Sequence, residues 1–77
     1  MIREIRDAVQ SRNPEALAAS AHALKGAAGN FGPNAVSNTS RELELAAKGG
    51  RMDEAPALFD RLQTDLKDLT AQLKVIG

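Results

Sequence analysis

The sequence predicts an all-α protein, an up-and-down antiparallel four-helix bundle with a short first helix. Three observations carry this. Alanine is abundant and aromatic residues make up only 3%, namely Phe31 and Phe59; that suits closely approaching helices, whereas sheets draw on β-branched and aromatic residues. Apolar residues recur every three or four positions in separate stretches, the period of a helix with one buried face. Short breaks rich in glycine, proline and asparagine divide the stretches, and short connections make successive helices antiparallel neighbours.

The first helix is expected over about 1–12, with Ile2, Ile5 and Val9 at helical spacing. Ser11-Arg12-Asn13-Pro14 breaks it. Asn13 suits an N-cap, Pro14 the first helical position, and Glu15 complements the dipole of a second helix over about 14–31. There Leu17, Ala21, Leu24, Ala28 and Phe31 form one apolar seam, and Gly32-Pro33 ends it, glycine by relieving a left-handed turn and proline by halting the helix. A third helix follows over about 34–48. Val36, Ser40, Leu43 and Ala47 face inward, Arg41, Glu42 and Glu44 are placed on the outer face, and Gly49-Gly50 is the stop. The fourth helix, about 53–76, takes Asp53 as its N-cap and tolerates Pro56 in its first turn. Its seam is Ala55, Phe59, Leu62, Leu66, Leu69, Leu73 and Ile76, repeating nearly every 3.5 residues. No repeat or linker divides the chain, so residues 1–77 are read as one domain.

The ten basic and ten acidic residues cancel. A nucleic-acid partner, which calls for a surplus of Lys and Arg, is therefore not expected. Absence of cysteine removes disulfides and thiolate metal sites. No apolar run approaches the ~20 residues of a membrane span, and MIREIRD is not a secretory signal. A cytoplasmic monomer without membrane contact is the expectation.

The stretch AHALKGAAGNFG, residues 21–32, holds the only histidine. At about 100° per residue, the seam of the second helix lies within roughly 40° of one line, and His22 stands about 140° away from it, toward solvent. Its neighbours three and four residues away are Ala18, Ala19, Lys25 and Gly26, with Gly29 on the same flank. Glycine inside a helix forfeits roughly 1 kcal/mol against alanine. Taken singly, a surface histidine, a surface lysine and a glycine that eases helix packing are ordinary. Together they describe an exposed imidazole on a bare surface, open to the approach of something large.

These residues resemble the signature of the histidine-containing phosphotransfer (HPt) domain of bacterial phosphorelays: His22, two residues, Lys25-Gly26, small residues, and a helix end at Asn30-Phe31-Gly32. Arg41-Glu42-Leu43-Glu44 and Ala46-Ala47-Lys48-Gly49 resemble the family's following helix. The likeness is close over roughly 8–50 and rests on periodicity alone in the last helix; Pro33, where alanine is more usual, departs from it. HPt domains commonly have a longer N-terminal region, so the chain is expected to be a piece of a larger protein such as a hybrid sensor kinase, whose other parts could anchor it in a membrane.

The resemblance implies that His22 accepts a phosphoryl group from an aspartyl-phosphate on a receiver domain and passes it to another receiver. Lys25 would offset the charge of the transferred oxygens, and Ala18, Ala19, Gly26 and Gly29 would form the landing area. Glu15, Lys25 and Arg41 are candidates for receiver specificity. Imidazole is largely neutral at pH 7 and can attack without a general base, which accords with no carboxylate being expected beside His22. Glu42 and Glu44, two apart, do not face each other and form no metal site. Phosphoryl transfer ordinarily uses a divalent metal, and that metal is expected on the receiver, with no cofactor on this chain and no kinase activity of its own.

Two rivals stand beside this reading. A histidine-kinase dimerisation domain would have an acidic residue directly after the histidine, where Ala23 stands. A non-catalytic helical interaction or dimerisation module would use the leucines of the last helix.

Overall fold

The computed structural model describes residues 2–30, 32 and 34–76, with side chains through Ala71. Four helices follow in order, α1 (Ile2–Gln10), α2 (Pro14–Gly29), α3 (Ala35–Lys48) and α4 (Ala55–Ile76), with a 3-10 turn at Met52–Glu54 leading into α4. There is no strand among the described residues. Packing runs α1 on α2, α2 on α3, α3 on α4, and α4 back on α1, which closes an up-and-down bundle of the expected class. α2 against α3 is the most extensive of these interfaces.

The apolar seams build the core. Ile5 and Ala8 of α1, Leu17, Ala21, Leu24 and Ala28 of α2, Val36, Leu43 and Ala47 of α3, and Ala55, Phe59 and Leu62 of α4 form one buried cluster. Each fully buried large aliphatic among them contributes about 2 kcal/mol in area removed from water. Leu66 and Leu69 are partly buried against this cluster. Phe31 and Pro33, and the side chains of Leu73 and Ile76, lie outside the described residues.

Caps fix the helix ends. Asn13 caps α2 as expected, its Oδ1 accepting from the Ala16 amide at 3.1 Å. α1 stops at Gln10, two residues early, because Arg12 takes φ 54° and the Asn13 amide turns back to the Ala8 carbonyl at 2.9 Å. α2 ends at Gly29, and the left-handed residue after it is Gly32, φ 87°. Asn34 then joins the two helices of the main interface. Its Nδ2 donates to the carbonyls of Ala28 (2.9 Å) and Gly32 (2.8 Å), while its Oδ1 accepts from the Ser37 amide at 2.9 Å. Gly50, φ 73°, ends α3, and the Arg51 amide reaches the Ala46 carbonyl at 2.8 Å.

Two expectations need correction. Asp53 is not an N-cap: it lies inside the 3-10 turn, and no side chain caps that turn. Glu44 is not on the outer face. It is 5% exposed, because α3 buries a wide arc that includes Thr39 and Ala46 besides the predicted stripe. Thr39 Oγ1 donates to Asp65 of α4, so α3 is sandwiched between polar links to α4 on one flank and to α2 on the other.

Candidate functional site

The α2–α3 interface positions the site. The two helices bury small residues, Ala21 and Ala28 of α2 and Ser40, Ala46 and Ala47 of α3, and small residues let two helices approach closely. A glutamate on the edge of α3 can then reach side chains on the edge of α2. His22 is exposed, its side chain 67% accessible, and its Nδ1 lies 3.0 Å from Glu44 Oε2. Lys25 Nζ donates to Glu44 Oε1 at 3.0 Å. Lys48, one turn beyond Glu44 on α3, brings its Nζ to 3.1 Å from the same Oε2 that faces His22. The four residues form one cluster centred on a single buried carboxylate.

The charges follow from this geometry. The Lys25 ammonium is the main cause that pulls the Glu44 carboxyl from its ordinary 4.5 down to about 2; burial opposes it and Lys48 reinforces it. Glu44 is therefore ionised at neutral pH and can only accept hydrogen bonds. The His22 nitrogen that faces it, Nδ1, must carry the hydrogen. In a neutral ring that leaves the lone pair on Nε2, the nitrogen turned away from the carboxylate. An imidazole held in this tautomer is a nucleophile at Nε2, and Glu44 stabilises the positive charge that the ring acquires on attack.

This overturns the expectation that no carboxylate lies beside His22. Glu44 is the residue missed. Of the other expected residues, Lys25 is on the same flank as His22 but is engaged with Glu44. Ala19, Gly26 and Gly29 are exposed and Ala18 is half-buried. Ala18 and Ala19 line an open groove of about 460 Å³ beside His22, with Glu15, Glu44 and Lys48 on its walls. A Cβ added at Gly26 or Gly29 would meet nothing within 4 Å, so neither glycine is required by packing within this chain. Arg41 lies elsewhere, with Asn38, Glu42, Leu45 and Arg61 around a different shallow pocket. Among the described residues no group of His, Asp and Glu is arranged to hold a metal ion, and no helix is long and apolar enough to cross a membrane.

The lowered Glu44 pKa makes stability depend on pH in a definite direction. A carboxyl whose pKa is lowered by folding stabilises the fold above its ordinary value, here 4.5, and that contribution is lost as pH falls toward about 2. Glu44→Gln should lower stability at pH 7 by about 1.5–3 kcal/mol, the range for hydrogen bonds to charged groups. In denaturant titrations the gap between the two proteins should close as the pH is lowered from 5 to 2. A gap independent of pH would contradict this charge assignment.

A scan against protein-family models matches the Hpt domain over residues 1–72. No curated protein and no solved structure matches the chain. The family match spans all of α1, α2 and α3 and most of α4, and within it stand the histidine, the lysine and the glycine that prompted the resemblance. The chain belongs to the Hpt family, helical phosphotransfer domains that serve phosphorelays through histidine and interact with receiver domains.

Proposed function

We propose that this chain is a phosphocarrier in which Nε2 of His22 takes a phosphoryl group from an aspartyl-phosphate of one receiver domain and delivers it to an aspartate of another. The observation that carries the proposal is the contact between His22 Nδ1 and the buried Glu44 carboxylate at 3.0 Å. The Nε2 lone pair attacks phosphorus in line, the bond from phosphorus to the aspartate oxygen breaks, and its electron pair returns to the aspartate carboxylate. Nδ1 keeps its hydrogen throughout, so no general base is required. The ring becomes cationic against Glu44, and that charge makes the imidazole a good leaving group for the return step. Lys25 supports the reaction by adding positive charge near the transferred oxygens. Divalent metal is supplied by the receiver, and a cytoplasmic address suits that partner.

Ala18, Ala19, Gly26 and Gly29 are the landing surface. The open space around both glycines supports this, since the helix accepts their lower propensity with no packing gain in the free chain. Gly26→Ala should therefore raise stability by about 0.5–1 kcal/mol. Gly26→Leu should fold as well as wild type yet slow acquisition of label from a phosphorylated receiver at least tenfold. Transfer at the wild-type rate by Gly26→Leu would remove Gly26 from the docking surface.

The direct test is incubation with a phosphorylated receiver domain, with His22→Gln as control. Acid-labile, alkali-stable label is expected on wild type and none on the variant. Equal labelling of the two proteins, or none on a folded wild type across the available receivers, would contradict the carrier role.

A further inference from the structure

We propose that Glu15 is a specificity residue of the docking face: it pairs with a lysine or arginine of the receiver and fixes which way round the receiver sits along α2. This rests on the carrier reading above. Position is the first argument. Glu15 precedes His22 by seven residues, which is two helical turns less about 20°. The two side chains therefore leave α2 near one line, roughly 10 Å apart along its axis. Glu15 is exposed and lines one groove with Ala18, Ala19 and His22. A standard interface covers about 800 Å² of each partner, a patch roughly 30 Å across. A receiver that reaches Nε2 of His22 over these small side chains covers Glu15 as well.

Charge is the second argument. Apart from His22, the charged residues of α2 are Glu15 and Lys25. Lys25 is bound to Glu44, whereas Glu15 takes part in none of the ion pairs among the described residues. The start of a helix favours an acidic side chain, but that preference supplies no counter-ion. The face therefore has a positive end and a negative end. At the level of His22, the ammonium groups of Lys25 and Lys48 surround the single carboxylate of Glu44, an excess of one positive charge. Two turns nearer the start of α2 stands the uncompensated carboxylate of Glu15.

The partner must match this pattern. A receiver's acceptor aspartate, and the oxygen ligands that hold its divalent metal, suit the positive end. A lysine or arginine about 10 Å from that aspartate suits the negative end. A receiver turned end for end leaves Glu15 without a partner. One with an acidic residue in that place meets like charge, which rejects it.

The test uses the receiver that labels wild type fastest, with Glu15→Gln and Glu15→Lys verified as folded by circular dichroism. Transfer from the phosphorylated receiver should slow about two- to fivefold in Glu15→Gln, the size of one exposed ion pair, and about tenfold or more in Glu15→Lys. Both losses should fade at about 0.5 M salt, where exposed charges are screened within a few ångströms. Phosphoramidate, too small to use a docking face, reports on the imidazole alone: Nε2 bonds to phosphorus, the P–N bond of the reagent breaks, and ammonia leaves. It should label all three proteins equally. Replacing a basic receiver residue about 10 Å from the aspartate by glutamate should restore transfer to Glu15→Lys. Wild-type rates in a folded Glu15→Lys, equal losses with phosphoramidate, or no rescue by any such replacement would overturn the proposal while leaving the carrier reading intact. Failure of every receiver to label folded wild type would instead remove the carrier reading, and this inference with it.

Discussion

One buried carboxylate organises the functional face of this protein. Glu44 is nearly inaccessible, yet it is ionised and accepts from His22, Lys25 and Lys48, three side chains at the surface. A carboxylate out of water is tolerated only when its lone pairs are satisfied and its charge is countered. Here α2 supplies one cation and α3 the other. The same electrostatic need that fixes the lysines fixes the imidazole, so the reactive tautomer follows from the folding of the α2–α3 interface. Loss of Glu44 would leave His22 on the surface but without a defined hydrogen position.

The cluster depends in turn on the smallness of the residues around it. Ala21 and Ala28 of α2 are buried, as are Ser40 and Ala47 of α3, and they bring the helices near enough for a glutamate side chain to bridge them. Asn34 secures the far end of the same interface by bonding to both helices. On the outer side of α2 the same residue types have another effect. Gly26 and Gly29 stand in open space, where they leave the imidazole exposed from several directions. A single helix thus uses small side chains inward for packing and outward for access.

Much of this was legible in the sequence. The seams of α2 and α3 are carried by helical spacing, and Leu17, Ala21, Leu24, Ala28, Val36, Ser40, Leu43 and Ala47 are all buried. Asn13 announces the start of α2 because its side chain and the following proline act locally. The solvent-facing position of His22 follows from the same angular count. Glu44 was not legible, for a physical reason. Periodicity separates inside from outside but does not tell which neighbouring helix an edge residue meets, and a charged residue on an edge reads as outward. Two of its partners, Lys25 and His22, come from another helix, and only the packing of α2 on α3 brings them within reach. The pairing of Glu44 with Lys48 four residues later was the available signal; two cations near one carboxylate would have suggested burial. Asp53 misled because the chain inserts a 3-10 turn, where a local capping preference gives way to the turn geometry.

The reactivity of His22 depends on which of its ring nitrogens carries the hydrogen. Long-range ¹H–¹⁵N correlation spectra of the ¹⁵N-labelled protein above the imidazole titration read this directly, with His22→Gln to assign the signals. The neutral ring should be predominantly the Nδ1–H tautomer in wild type, shifting toward the Nε2–H form that free imidazole side chains prefer when Glu44 is replaced by alanine. A wild-type ring that is mainly Nε2–H, or one that Glu44→Ala leaves unchanged, would contradict the claim that this carboxylate prepares His22 for phosphoryl transfer.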